Sequence, residues 1–314
     1  MMEKISKIYI AGRNGLVGSS IEKALRQRGY QNIIGLRSRE LDLRRQQDVE
    51  TYFERERPHY VILAAAKVGS VLENTKYPAE FLYDNLMIQS NIIHSAYKYK
   101  VKKLLFLGSA SAYPATVPQP LKEEYLLAGK LEANSESYAI AKIAGLKMCE
   151  KYNRQYGTSF IGVMPCNVYG IGDRFKLEKS HVVPSLIMRF HEAKICGSPE
   201  VFVWGTGNAT RELIFNEDLA AACLYLFENN FDNEIYNIGT GREITIRELA
   251  DLIKEIVGYQ GQIIFDPSKP DGIHKMSLDI NKLKKLGWTH QISLEEGLRR
   301  TYAWYLQEVV NHSG

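Results

Sequence analysis

Lys7-Ile8-Tyr9-Ile10-Ala11-Gly12-Arg13-Asn14-Gly15-Leu16-Val17-Gly18 decides how this chain is read. Lys7 to Ala11 has the makings of a buried strand, and from about Val17 to Gly29 the pattern is helical and stops on a glycine, as helices commonly do. Between them the glycines are spaced G-x-x-G-x-x-G. In a strand-to-helix turn such glycines let the backbone bend sharply and approach a pyrophosphate, which then rests on the free N–H groups of the helix N-terminus. No Gly-Lys-Ser/Thr follows, which argues against a P-loop nucleotidase.

Outward from this turn, strand-like and helix-like segments alternate, the pattern of a parallel sheet covered by helices. Strands are expected at Asn32–Leu36, Tyr60–Ala66, Lys103–Leu107 and Phe160–Met164, and helices at Gln46–Glu56, Asn85–Tyr99 and Ser137–Tyr156. After about Pro165 the rhythm loosens. Asn167 to Lys179 reads as loop, Val182 to Ala193 as helix, and Glu234 to Gly241 as strand and turn. Thr245-Ile246-Arg247-Glu248 and Ser293-Leu294-Glu295-Glu296 both have the capping-box form that opens a helix. The expected architecture is α/β: a Rossmann-type doubly wound parallel sheet over residues 1–165, followed by a smaller C-terminal mixed α/β lobe. That lobe, 166–314, is expected mainly to take substrate, with some chain returning to the first domain.

Composition narrows the class. Of 314 residues, 45% are apolar and 24% charged, which excludes a disordered or fibrous chain. The formal charge of +4 is too small an excess to argue for nucleic acid or an anionic membrane as partner. The longest apolar stretch, Tyr60 to Ala66, is far short of a membrane span, and nothing near Met1 resembles a secretory signal. Cys149, Cys166, Cys196 and Cys223 form no C-x-x-C pair, and the histidines show no metal spacing, so we expect a reduced cytoplasmic protein without a metal.

The end of the second strand bears on the cofactor. An NAD site usually carries an acidic residue there, whereas this chain has Arg37 and Arg39, with Arg13 in the first turn. Guanidinium groups suit a 2′-phosphate and so favour NADPH; the other reading makes them solvated surface, as for Arg44 and Arg45. Tyr138 and Lys142 lie four residues apart, one helical turn. A phenol has a reference pKa of about 10 and needs a nearby cation to act near neutrality. Ser109 lies just past the fourth strand, at the sheet edge where ligands bind in open parallel sheets, and can there hydrogen-bond a carbonyl beside Tyr138.

Gly12 to Gly18, Leu63-Ala64-Ala65-Ala66, Ser109, Tyr138-x-x-x-Lys142 and Met164-Pro165-Cys166-Asn167-Val168-Tyr169-Gly170 together resemble the extended short-chain dehydrogenase/reductase family. The likeness extends to its branch acting on GDP-linked 4-keto sugars, through Ala65-Ala66-Lys67-Val68-Gly69, Asn85 to Asn91, Ser180-His181-Val182, Arg189-Phe190-His191-Glu192-Ala193, Val203-Trp204-Gly205 and Ser268-Lys269-Pro270-Asp271-Gly272. The resemblance implies an NADPH-dependent enzyme in which epimerisation at C3 and C5 precedes hydride delivery to C4. It implies that Tyr138 donates the proton, Lys142 tunes it and Ser109 orients the ketone. It also implies a cofactor site that adds Asp42, Ala64, Ala65, Ala66, Pro165 and His181 to the first turn. Asn167, Arg189, Trp204, Arg211, Lys269 and Asp271 are the implied GDP-sugar contacts, although Trp204 on its own also reads as a core aromatic. A homodimer built on the helices at Asn85–Tyr99 and Ser137–Tyr156 is implied as well.

Two positions depart from that branch. Its epimerisation pairs a histidine, here His181, with a cysteine two residues after the catalytic serine, and this chain has Ser111 there. A thiol has a pKa of about 8.5, whereas an unassisted hydroxyl offers little acid or base near neutrality. Cys166 either substitutes for the missing thiol or is a small buried apolar residue. The second departure is Ile273-His274-Lys275, where the branch tends to carry an arginine before the lysine. We therefore expect reduction of the C4 ketone of a GDP-4-keto hexose or heptose, with C3/C5 epimerisation lost or weakened. The competing expectations are a complete 3,5-epimerase/4-reductase, another nucleotide-sugar epimerase or dehydratase, and an inactive NADP-binding protein.

Overall fold

The computed structural model describes residues 2–176, 180–229, 231, 234–269 and 275–310. Its first half runs β1 (Ile8–Ala11), α1 (Leu16–Gln27), β2 (Ile33–Ile34), α2 (Gln46–Glu56), β3 (Tyr60–Leu63), α3 (Val71–Lys76), α4 (Pro78–Lys98), β4 (Lys103–Leu107), α5 (Glu136–Tyr156) and β5 (Phe160–Pro165). The second half runs β6 (Asn167–Tyr169), α6 (Val182–Cys196), β7 (Glu200–Trp204), β8 (Thr210–Phe215), α7 (Asn216–Glu228), β9 (Ile235–Ile238), β10 (Glu243–Thr245), α8 (Ile246–Val257), β11 (Gln262–Asp266), α9 (Asn281–Lys285) and α10 (Leu294–Tyr305).

Six strands form one sheet in the order β2-β1-β3-β4-β5-β9, with every pairing parallel. The chain leaves β1 in one direction for β2 and then crosses to β3 on the other side, which creates a crevice at the C-terminal ends of β1 and β3. All residues of β1, β3, β4 and β5 are buried, as expected of strands covered on both faces. Phe53 and Phe106 are fully buried in this core, each worth about 1.5–3 kcal/mol relative to exposure. The fold is the Rossmann-type α/β class expected from the alternation.

Helix ends follow local chemistry. Thr245 and Glu248 form the reciprocal capping box at the start of α8, and Gly258 at φ 74° ends that helix. Ser293 caps α10 through the Glu296 N–H, but the Glu296 carboxylate faces Arg300 rather than completing a box. α4 begins at Pro78, seven residues before the expected Asn85, because proline at the first helical position already has the required φ.

Three strands differ from expectation, and of the expected Asn32–Leu36 only Ile33–Ile34 pairs, as β2. Pairing in β3 stops at Leu63, so Ala64 to Ala66 is not strand; the chain peels away there to approach the first glycine turn. Asn167 to Tyr169, expected as loop, is the short strand β6, which pairs with β8 in a three-stranded sheet β10-β8-β6. β7 and β11 form a further parallel pair. A second apolar core, including Tyr169, Phe190, Phe215, Leu249, Ile253 and Leu298, lies under these elements. α7 packs against α1, and β9 completes the main sheet beside β5. No helix among the described residues is long and apolar enough to cross a membrane.

Candidate functional site

The turn after β1 is built for close backbone approach. Gly12 has φ 85°, and a Cβ there would lie 2.6 Å from the Ala65 nitrogen; a Cβ on Gly18 would lie 2.1 Å from the Gly12 oxygen. Side chains at either position would drive the start of α1 away from the turn and from the end of β3. The Gly15 N–H closes the turn on the Gly12 oxygen at 3.0 Å, around Arg13 and Asn14. The opening turn of α1, which includes Leu16 and Val17, has neither a side-chain cap nor an acidic residue. Its unmatched N–H groups and positive dipole end therefore suit a diphosphate. Ala64, Ala65 and Ala66 are half-buried beside it.

The basic residues divide. Arg13 Nη2 donates to Glu22 at 2.6 Å, its Nε bonds the same carboxylate, and this pairing raises the guanidinium pKa. The guanidinium expected at a 2′-phosphate is thus held by an acid of α1, because Glu22 lies beneath it on the helix. Arg37 and Arg39 are exposed at the end of β2, and neither side chain is ion-paired among the described residues. Asp42 accepts from Arg44 at 2.8 and 2.9 Å, which lowers its pKa to about 2.

Past β4 the chain makes a single helical turn, Ala110–Ala112, capped by the side chain of Ser109. Ser109 Oγ and Ser111 Oγ lie 2.6 Å apart, and the Ser111 N–H donates to Ser109 Oγ at 3.3 Å. The Tyr138 phenol stands beside Ser109. Burial raises the Tyr138 pKa to about 12, and the Ser109 contact opposes that rise. Lys142 is buried, donates from Nζ to the Leu107 oxygen at 2.7 Å, and lies 5.6 Å from the centre of the Tyr138 ring. Burial lowers its pKa to about 7. Lys142 therefore sits near the phenol as the spacing predicts, but burial holds its amine well below the usual lysine range. α5 comes close enough for these contacts because Gly145 faces Phe106; a Cβ there would lie 2.4 Å from the ring.

Pro165 ends β5 and Cys166 follows it. Burial and the nearby Glu212 push the Cys166 thiol well above its usual range, so it is a neutral buried residue and not a substitute acid–base group. His181 caps α6 from an extended conformation. Desolvation by neighbouring groups, then the Arg174 charge, lowers its pKa, and Glu73 opposes them. Glu73 is fixed by a capping box with Ser70 that opens α3. That Ser-x-x-Glu signal is legible in the sequence at Ser70–Glu73.

Arg189 of α6 and Trp204 of β7 come together, with the guanidinium 6.0 Å from the ring centre and donating to the Phe202 oxygen at 3.0 Å. Trp204 is 44% exposed, which rules out the core-aromatic reading. Its register partner is Asp266, and the exposed Lys269 lies in the turn that Asp266 closes. Arg211 on β8 and Asn167 on β6 share the three-stranded sheet. Asp271, Ile273 and His274 lie outside the described residues. Among the described residues no group of three or more His, Cys, Asp or Glu stands together as a metal site.

A buried hub behind the Ser109 turn also escaped sequence reasoning. Asn237 of β9 accepts from the Tyr113 hydroxyl at 2.6 Å and donates from Nδ2 to the oxygens of Leu121 (2.8 Å) and Asp279 (3.0 Å). A lone Asn inside a strand gives no local signal that it serves three distant segments.

Residues 8–239 match the model of the NAD dependent epimerase/dehydratase family. The chain is 52% identical to GDP-L-fucose synthase 1 of Arabidopsis thaliana over 99% of its own length and 96% of the relative's. It is 49% identical to GDP-L-fucose synthase of Escherichia coli (strain K12), covering 96% and 97%. Among solved structures it resembles a GDP-mannoheptose C4 reductase from Campylobacter jejuni with NADP bound, at TM-score 0.90 and 40% identity, covering 98% of this chain and 100% of that one.

Proposed function

Because the chain belongs to the NAD dependent epimerase/dehydratase family, we propose that it is an NADPH-dependent oxidoreductase that reduces the C4 ketone of a GDP-4-keto sugar, with C3/C5 epimerisation lost or weakened. The observation that carries this reading is the hydroxyl cluster at the end of β4. Ser109 and Ser111 are hydrogen-bonded, Tyr138 stands beside Ser109, Lys142 Nζ lies 5.6 Å from the centre of the phenol ring, and a hydroxyl occupies the thiol position. The relatives named for GDP-sugar synthesis and C4 reduction support the substrate class.

Gly12, Gly15 and Gly18 with the start of α1 would hold the cofactor's pyrophosphate, and the uncommitted Arg37 and Arg39 its 2′-phosphate. Arg13, Asn14, Leu16, Val17, Asp42, Ala64, Ala65, Ala66, Pro165 and His181 would complete that site. NADPH, when bound, supplies the hydride for C4. Ser109 orients the ketone, Tyr138 gives its proton to the oxygen as charge develops there, and Lys142 stabilises the phenolate once a neighbouring anion favours its ammonium form. His181 keeps a neutral imidazole at the cleft, suited to hydrogen-bonding the sugar. Arg189 and Trp204 would hold the GDP moiety, joined by Arg211, Lys269 and Asp271, with Asn167 near the sugar. In this reading residues 1–165 form the cofactor domain and 166–314 mainly the substrate lobe. Two protomers would pair through α4 and α5, which expose Tyr83, Ile140 and Tyr156. We place the protein in the cytoplasm, in keeping with its four free cysteines.

Incubation with NADPH and GDP-4-keto-6-deoxy-mannose in D2O tests the reaction. NADPH oxidation without rapid deuterium entry at C3 and C5 is the expected result. Rapid entry at both carbons would instead establish the second reading, a complete epimerase/reductase, which the 52% identity to a GDP-L-fucose synthase favours.

A further inference from the structure

Ser111 occupies a position vacated by an epimerisation thiol, but its hydroxyl has a partner. It lies 2.6 Å from Ser109 Oγ, and its own backbone N–H approaches the same oxygen at 3.3 Å. A serine hydroxyl has one proton to give and two lone pairs to fill. If Ser109 is to orient a ketone, its single proton must point outward, and any hydroxyl bonded to it must then act as donor. Ser111 can be that donor. With its O–H donating, Ser111 would satisfy both lone pairs of Ser109 Oγ through its O–H and N–H, which leaves the one Ser109 proton for the ketone oxygen that Tyr138 is to protonate.

Resting on the reductase reading above, we propose that Ser111 is a positioning residue for the reduction, donating to Ser109 Oγ and so directing the Ser109 proton at the C4 oxygen. A thiol at 111 would do this poorly, since S–H is a weak donor. The exchange of thiol for hydroxyl thus strengthens the reductive half of the site while removing an acid–base group from the epimerising half. No atom is transferred to or from Ser111 in this role; it fixes which way one proton points.

The test uses NADPH-loaded enzyme in single-turnover and steady-state assays, following NADPH oxidation with GDP-4-keto-6-deoxy-mannose and with its C3/C5-epimerised form. Ser111→Ala is expected to lower kcat about tenfold while KM stays within about twofold, the loss of one aligned hydrogen bond. Ser111→Thr keeps the donor and should restore most of the rate, and Ser111→Cys should fall between. NADPH affinity, read by fluorescence, should match wild type in all three. An alanine variant with wild-type kcat, or alanine and threonine variants equally impaired, overturns this role alone. A wild-type enzyme that consumes NADPH with neither sugar overturns the reductase reading and the role with it. Should the alanine variant fail to bind NADPH, the threonine–cysteine comparison decides, and equal rates for those two refute the role.

Discussion

Replacing Asn237 by alanine should be among the most damaging single changes in this chain, and the reason lies in how many segments the side chain serves. Asn237 is fully buried, takes the Tyr113 hydroxyl on Oδ1, and gives both Nδ2 protons to backbone oxygens. Its removal deletes three hydrogen bonds, each worth about 1 kcal/mol net. It also leaves the Tyr113 O–H unmatched inside the protein, at a further cost of about 1–3 kcal/mol. The Leu121 oxygen keeps one bond, from the Asp279 N–H at 2.8 Å, so it adds little. The sum is about 4–6 kcal/mol, against a typical total stability of about 5–15 kcal/mol. Urea unfolding followed by circular dichroism would read it as a lowered midpoint at unchanged m. A loss below about 1 kcal/mol would refute the reasoning. Asn237→Asp sharpens the test. One oxygen keeps Tyr113, but the other faces two carbonyl oxygens, so the carboxyl is held in its protonated form and its folded pKa lies above the unfolded value of about 3.9. The native state then binds more protons than the unfolded one, and stability relative to wild type must fall as pH rises from about 4. A deficit that shrinks with rising pH would contradict the hub geometry.

Two further outcomes follow from the site. Burial holds the Lys142 amine near pH 7 in the free protein, and an anionic cofactor favours its ammonium form. NADPH binding at pH 8 should therefore take up close to about one proton, and affinity should weaken as pH rises through 7. Titration calorimetry in buffers of different ionisation heat measures the uptake, and an equal uptake by Lys142→Met would disprove it. Trp204→Ala should raise KM for the GDP-sugar roughly 5- to 30-fold with kcat little changed, since the exposed ring beside Arg189 is read as holding the GDP moiety and so contributes uniform binding. A fall in kcat at unchanged KM would place Trp204 in the chemistry instead.

The central strands were legible because parallel strands buried on both faces are written as unbroken apolar runs, as at Tyr60–Leu63 and Lys103–Leu107. Gly12, Gly18, Ser109, Tyr138 and Lys142 were legible because each is tied to a fixed place on a strand end or helix turn. What escaped depends on partners far along the chain or on competition between local groups. Arg13 has the right position for a phosphate, but Glu22 is nearer in the fold than in the sequence. Glu200 to Trp204 alternates exposed and buried, yet Phe202 and Trp204 on the outer face are as apolar as Val201 and Val203 beneath, so no periodicity betrays the exposed ring. The pKa of Lys142 depends on the depth of its pocket, which a four-residue spacing does not record.

β9 gives the main sheet its last strand from residues 235–238, long after β5 has been laid down. During synthesis the first five strands are therefore complete while the outer edge of β5 still waits for a partner some seventy residues further along. A naked parallel edge of fully apolar residues is an invitation to pair with another chain. The two halves of the chain consequently share one folding fate. Ending the chain near residue 165 would yield a sheet without its closing strand and α1 without α7, and the fragment should aggregate rather than fold.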